Sequence, residues 1–145
     1  MRLMIHPNED AVAEYTASYI RQRIIDFQPT AEHPFVLGLP TGGSPLKVYQ
    51  KLVELYKLGA LSFQHVVTFN MDEYVGLPHD HPQSYHYYMW HNFFKHVDIN
   101  PKNVHILDGN AADLETECRK YEEKINFYGG IELFLGGSFL LLLLY

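Results

Sequence analysis

Short apolar runs and longer stretches of helically spaced apolar residues alternate along the chain. Phe35-Val-Leu-Gly-Leu39 is an almost unbroken apolar run, the pattern of a strand covered on both faces. Val66-Val-Thr-Phe69, rich in β-branched residues, reads as another strand. Shorter runs at 2–5, 104–107 and 131–135 are expected to add three more. Between the strands the period changes. Ala13, Ala17, Ile20, Ile24 and Phe27 share one face of a helix expected from an Asp10 cap to about Phe27. Leu46, Tyr49, Leu52, Val53 and Tyr56 share a face of a second helix. Ser44 is its expected N-cap, Pro45 its first residue and Gly59 its end. Residues 84–95 predict an aromatic-rich helix and 113–127 a last one, with an inner stripe of Leu114, Cys118, Tyr121 and Ile125 and a stop at Gly129-Gly130.

Strands alternating with helices imply right-handed crossovers and a parallel sheet. The expected fold class is α/β, a Rossmann-like parallel sheet with helices on both faces, in one domain without repeats or a linker. Ligands of such folds bind beyond the carboxyl ends of the strands. Three polar clusters fall there: Thr41, Gly42, Gly43 and Ser44; residues 70–74; and Gly136-Gly137.

Composition narrows the function. The 145 residues are 47% hydrophobic and 19% charged, which describes a globular protein. A formal charge of −6 with no basic patch argues against nucleic-acid or anionic-membrane partners. Cys118 is the single cysteine, so no internal disulfide is possible, and its spacing predicts a buried small hydrophobe. The N-terminus lacks the apolar core of a signal peptide, and no apolar run reaches spanning length. A soluble cytoplasmic protein is expected.

The turn after the first long strand is the leading candidate for chemistry. Two adjacent glycines permit positive φ and close approach of a ligand to the backbone. Free N–H groups at a positive helix end, with the Thr41 and Ser44 hydroxyls, suit a phosphate or carboxylate. The same residues also serve merely to turn a chain. The loop lacks the lysine of a Walker loop and the third glycine of a dinucleotide fingerprint. Asp72 and Glu73 are adjacent carboxylates at a strand end, where only one of the two can face a ligand. A carboxylate there could take a proton from carbon next to a carbonyl, or Asp72 could simply cap the following turn. The histidines His79, His81, His86, His91 and His96 lack metal-ligand spacing, so no metal site is expected. Tyr85, Tyr87, Tyr88, Trp90, Phe93 and Phe94 read as packing, with the Tyr85 hydroxyl able to reach a ligand.

Leu37-Gly-Leu-Pro-Thr-Gly-Gly-Ser-Pro45, Thr68-Phe-Asn-Met-Asp-Glu-Tyr-Val-Gly76, His81-Pro-Gln-Ser-Tyr85 and Asn92-Phe-Phe94 closely resemble the glucosamine-6-phosphate deaminase family, and the likeness runs from Met1 through Gly137. The resemblance implies a cytoplasmic homo-oligomer, hexameric in the family. It implies conversion of glucosamine 6-phosphate and water to fructose 6-phosphate and ammonia, without metal or organic cofactor. By position, Asp72 matches the general base that moves the C2 proton to give an enolamine. Thr41, Gly42, Gly43 and Ser44 match the loop holding the sugar phosphate, and Tyr85 and Gly137 match substrate-pocket positions. A related lactonase or ribose-phosphate isomerase is disfavoured by the intact Asn-Met-Asp-Glu-Tyr run.

The family continues after Gly137 with a Gly-x-Asp-Gly-His segment that supplies ring-opening residues, whereas this sequence reads Ser138-Phe-Leu-Leu-Leu-Leu-Leu-Tyr145. Residues 1–137 are therefore expected to be the N-terminal part of the family domain and 138–145 an apolar tail foreign to it, an artefact or a short isoform. The expectations that follow are negligible deaminase activity for the 145-residue chain and a tendency to associate through uncovered apolar surface. The alternative function is a non-catalytic sugar-phosphate-binding or regulatory subunit that joins full-length enzyme.

Overall fold

The structure, a computed structural model, describes residues 3–136. Four parallel strands make one sheet in the order β3-β2-β1-β4: β1 is Phe35–Leu39, β2 Val66–Asn70, β3 Val104–His105 and β4 Leu133–Phe134. β1 and β2 pair along their length, Phe35 opposite Val66 and Leu39 opposite Asn70, and every residue of both is buried. The pleat divides β1 between two cores. Phe35, Leu37 and Leu39 meet α1 (Glu9–Phe27), α2 (Gly43–Lys57) and α3 (Tyr85–Asn92), while Val36 meets α4 (Leu114–Phe127). Helices thus cover both faces. Gly38 faces the β4 side, where a Cβ would lie 2.1 Å from Phe134 Cδ2, so only glycine lets Phe134 cross that strand.

Several elements differ from expectation at their ends. Residues 3–5 form no strand; Leu3 and Ile5 are 83% and 88% exposed, because an apolar run without a neighbouring ladder has nothing to pair with. α1 is capped by Asn8, not Asp10: the Asn8 Oδ1 accepts from the Ala11 amide at 2.9 Å. α2 begins two residues earlier than predicted, with Gly42 as N-cap at φ 124°, and Ser44 stands in its first turn without a capping bond. α3 stops at Asn92, and a 3₁₀ turn, Phe94–His96, follows. β3 and β4 keep only two paired residues each.

The inner stripe of α4 is narrower than its spacing implied. Tyr121 is buried and Ile125 packs beside it, but Leu114 and Cys118 are exposed. Cys118 is therefore not a core residue. It lines a largely apolar cavity of about 380 Å³ with Phe69, Leu107, Tyr121, Ile131 and Phe134. Among the described residues no helix is long and apolar enough to cross a membrane. Gly137 and the 138–145 tail lie outside the described residues.

Candidate active site

The carboxyl ends of β1 and β2 lie side by side and are bound together before any ligand is considered. Asn70, the last residue of β2, is buried, and its Nδ2 donates to the Leu39 carbonyl at 3.1 Å. From the other face the Tyr121 hydroxyl donates to the Asn70 carbonyl at 2.8 Å. The two loops that continue from these ends are thus held at a fixed separation. Among the described residues Asn70 Oδ1 has no partner although it is buried.

After β1 the chain runs Pro40-Thr41-Gly42-Gly43-Ser44 into α2. Gly42 is in the left-handed half of φ space, which glycine adopts without steric cost. A Cβ at Gly43 would meet nothing within 4 Å among the described residues, so the Gly43 backbone is open to an approaching group. Thr41 is half-buried, and Gly42, Gly43 and Ser44 are exposed. The first turn of α2 leaves amide groups without intrahelical partners, and the aligned peptides make this helix end positive. The loop can therefore accept an anion through its backbone, with the Thr41 and Ser44 hydroxyls close by. Lys47, one turn into α2, is occupied: its Nζ lies 3.1 Å from Glu9 and 2.9 Å from Asp10.

After β2 the adjacent carboxylates Asp72 and Glu73 part company. Glu73 turns inward and becomes the anion of α3's N-terminus, accepting from the Tyr85 and His86 amides at 2.8 Å each and from its neighbour Tyr74 at 2.8 Å. Ser84 is the N-cap proper, its Oγ accepting from the Tyr87 amide at 3.0 Å. Capping is thus done by Glu73 and Ser84. Asp72 makes no hydrogen bond or ion pair among the described residues and stands exposed at the strand end. The surrounding loop still removes part of its hydration, and this, followed by the Glu73 charge, raises its pKa above the ordinary carboxylate value. A carboxylate made more basic and left without a partner is suited to accept a proton from a ligand.

Tyr85 brings the two loops into one site. Its ring lies 4.7 Å from that of Tyr74, and its hydroxyl is pushed up to about 12, first by its hydrogen bond with Tyr74, then by burial and the Asp72 charge, with Thr41 opposing. Thr41 of the first loop and Asp72 of the second are therefore both neighbours of one phenol. The outer side of the second loop is tied down. Gly76 donates to the Gly109 carbonyl at 3.0 Å, Asn110 Nδ2 to the Leu77 carbonyl at 2.6 Å, and His79 Nε2 lies 3.2 Å from Asp108 Oδ1. His79 stacks on His86 at 4.8 Å, and burial followed by the His79 charge lowers the His86 pKa. Among the described residues no cluster of His, Cys, Asp or Glu side chains is arranged to hold a metal.

Of the residues singled out in the sequence, Thr41, Gly42, Gly43, Ser44, Asp72 and Tyr85 gather at one end of the sheet; Gly136 follows β4 at that end, and Gly137 lies outside the described residues. Glu73 and Asn70, marked in the sequence as part of the polar run after β2, also shape the site, as do Tyr49 and Tyr88, whose spacing read as packing. A separate cavity of about 450 Å³, lined by Ile24, Pro29, Tyr56, Leu61 and His65, lies at the opposite ends of the strands and gathers none of these groups.

Known proteins resemble this chain in sequence and in fold. The family model described as glucosamine-6-phosphate isomerases/6-phosphogluconolactonase matches residues 7–139. Glucosamine-6-phosphate deaminase of Drosophila melanogaster is 62% identical over 137 residues, which are 94% of this chain and 50% of that protein. Glucosamine-6-phosphate deaminase 1 of Mus musculus is 64% identical, with coverage of 94% and 47%. The chain thus spans about half the length of the curated relatives it matches. Among solved structures, a monomeric glucosamine-6-phosphate deaminase superposes with a TM-score of 0.85 at 39% identity, over 91% of this chain and 53% of that one. A 6-phosphogluconolactonase from Thermotoga maritima shares the fold, with a TM-score of 0.64 at 24% identity over 79% and 50%.

Proposed function

The chain belongs to the glucosamine-6-phosphate isomerase/6-phosphogluconolactonase family, and from that premise we propose that it carries the proton-transfer half of a glucosamine-6-phosphate deaminase site. The substrate would be glucosamine 6-phosphate and the products fructose 6-phosphate and ammonia. The observation that carries the reading is the division of labour between Asp72 and Glu73. One carboxylate is consumed by the α3 N-terminus, and the other is left without a partner among the described residues and more basic, beside a loop suited to phosphate.

In the proposed mechanism the amides and hydroxyls of Thr41, Gly42, Gly43 and Ser44 hold the sugar phosphate, which fixes the distance from phosphate to C2. Asp72 takes the proton from C2 of the open-chain amino aldehyde; the C–H electron pair forms the C1–C2 double bond, and the aldehyde oxygen gains a proton from water to give an enolamine. The carboxylic acid so formed returns the proton to C1, giving a ketimine at C2 that water hydrolyses to the ketone and ammonia. Positioned acid–base help of this type is typically worth about 10²–10⁴-fold. Tyr85, whose hydroxyl stays protonated across the physiological range, supplies a neutral donor between the two loops. On the family resemblance, Gly137 is proposed for the same pocket, within a family segment of 1–137 distinct from the 138–145 tail.

A cytoplasmic location and self-association belong to the same proposal. Acidic composition and a single, unpaired cysteine support the first. The exposed Tyr74 and Val75 offer apolar surface for the second, which sedimentation of the purified chain would test against the monomer found in one solved relative. The enzymatic reading is tested in reverse. Fructose 6-phosphate and ammonium, a direction that does not call on opening of the aldose ring, should give glucosamine 6-phosphate, and Asp72→Asn should slow this by about 10²–10⁴-fold while retaining sugar-phosphate binding. Binding without any reaction in the wild-type chain would remove the catalytic reading and leave a sugar-phosphate-binding subunit.

A further inference from the structure

Three side chains from three different elements fix the carbonyls of the turn between β1 and α2. Asn70 of β2 donates to Leu39 at 3.1 Å, Tyr49 of α2 donates to Pro40, and Tyr88 of α3 donates to Gly42 at 2.5 Å. Every peptide bond among the described residues is trans, so each carbonyl points opposite to the N–H that follows it. Holding the Pro40 and Gly42 carbonyls therefore turns the Thr41 and Gly43 amides away from the two tyrosines. Among the described residues neither amide donates to a protein acceptor, and the space at Gly43 is open. Tyr49 is fully buried and Tyr88 half-buried, with their rings edge to face at 6.5 Å, so the hydroxyls have little freedom to turn elsewhere.

We propose that Tyr88 is a positioning residue for the phosphate of the bound sugar, aiming the Gly43 amide by holding the Gly42 carbonyl, and that Tyr49 does the same for the Thr41 amide through Pro40. This rests on the sugar-phosphate reading of the loop. Tyr88 lies on α3 three residues after Tyr85, whose hydroxyl neighbours Thr41 and Asp72. Positions three apart share a helix face. One face of α3 thus registers the phosphate loop against the base, and the helix start that sets this register is held by Glu73. Desolvation keeps the Tyr88 hydroxyl protonated, pushing it up to about 12, so the donor persists across the working pH range.

The test compares the wild-type chain with Tyr88→Phe, which keeps the ring and removes the donor. Fructose 6-phosphate and inorganic phosphate serve as probes, followed by titration calorimetry and by backbone amide resonances. Tyr88→Phe should bind both probes about tenfold more weakly, roughly what one net hydrogen bond contributes. The phosphate-induced shift of the Gly43 amide should shrink while that of Thr41 persists, with the thermal midpoint unchanged. Unaltered affinity in Tyr88→Phe would overturn the positioning role alone. A loss of affinity accompanied by a lower thermal midpoint and uniform loss of amide dispersion would overturn it as well, making Tyr88 a packing residue. Failure of the wild-type chain to bind either probe would instead strike the sugar-phosphate reading beneath it.

Discussion

The Glu73 carboxylate accepts the Tyr85 amide hydrogen at 2.8 Å, and this bond separates two carboxylates that adjoin in sequence. With His86 bound to the other oxygen, Glu73 satisfies two amides at the start of α3 and complements the positive end of the helix. Glu73→Ala should lower stability by roughly 1–3 kcal/mol, the usual cost of leaving such donors unsatisfied. Glu73→Gln, which keeps an acceptor, should cost less. Urea midpoints check both, and an unchanged midpoint in Glu73→Ala would show that the cap contributes nothing.

Gly109 presses on the same loop from outside. A Cβ there would lie 1.9 Å from the Tyr74 carbonyl oxygen and 2.8 Å from its carbon, both backbone atoms that cannot swing aside. Gly109→Ala should therefore push residues 72–76 away and destabilise the chain by roughly 1–3 kcal/mol, the usual range for overpacking. Its thermal midpoint should fall further than that of Gly136→Ala, where a Cβ would meet nothing within 4 Å among the described residues.

His105 carries a pH dependence of stability. Burial, followed by the Lys124 charge, holds its pKa down to about 4, and its ring packs 4.7 Å from that of Phe69. The folded state therefore keeps this imidazole neutral where the unfolded chain takes up a proton. The unfolded state binds more protons between about pH 4 and the ordinary value of 6.5, so stability is lost as pH falls through that window. His105→Phe should flatten this part of the urea midpoint against pH, and an unchanged slope would contradict the assignment.

Much of the fold could be read from the pattern of the chain because β1 and β2 are buried on both faces and nothing competes with that signal. Residues 104–107 and 131–135 were harder, since an apolar run shows that a strand can form but not how many of its residues find partners. The 2–5 run illustrates the limit: apolar character alone made no strand at residues 3–5. Helix ends depended on choices between neighbouring polar residues. Asn8 and Asp10 are both good caps, and only the Asn8–Ala11 bond distinguishes them. Within the candidate site, Thr41, Gly42, Gly43, Ser44 and Asp72 stood out because they follow strand ends, but glycines and carboxylates there also turn chains and cap helices, and only the resemblance favoured a ligand over those uses. Tyr88 and Tyr49 did not stand out. A tyrosine at helical spacing looks like packing until its hydroxyl is seen to end on a loop carbonyl 46 residues away in the chain, as that of Tyr88 does.

The account stands or falls on Asp72 as the base, and proton exchange reads that step without requiring net turnover. In deuterium oxide with ammonium, the wild-type chain should place solvent deuterium at C1 of fructose 6-phosphate through the enolamine. The rate should fall on acidification, with its midpoint above the ordinary carboxylate range because the Asp72 pKa is raised. Asp72→Asn should slow the exchange by about 10²–10⁴-fold with fructose 6-phosphate still bound. Exchange in Asp72→Asn at the wild-type rate, or wild-type exchange no faster than the protein-free control, would contradict the account.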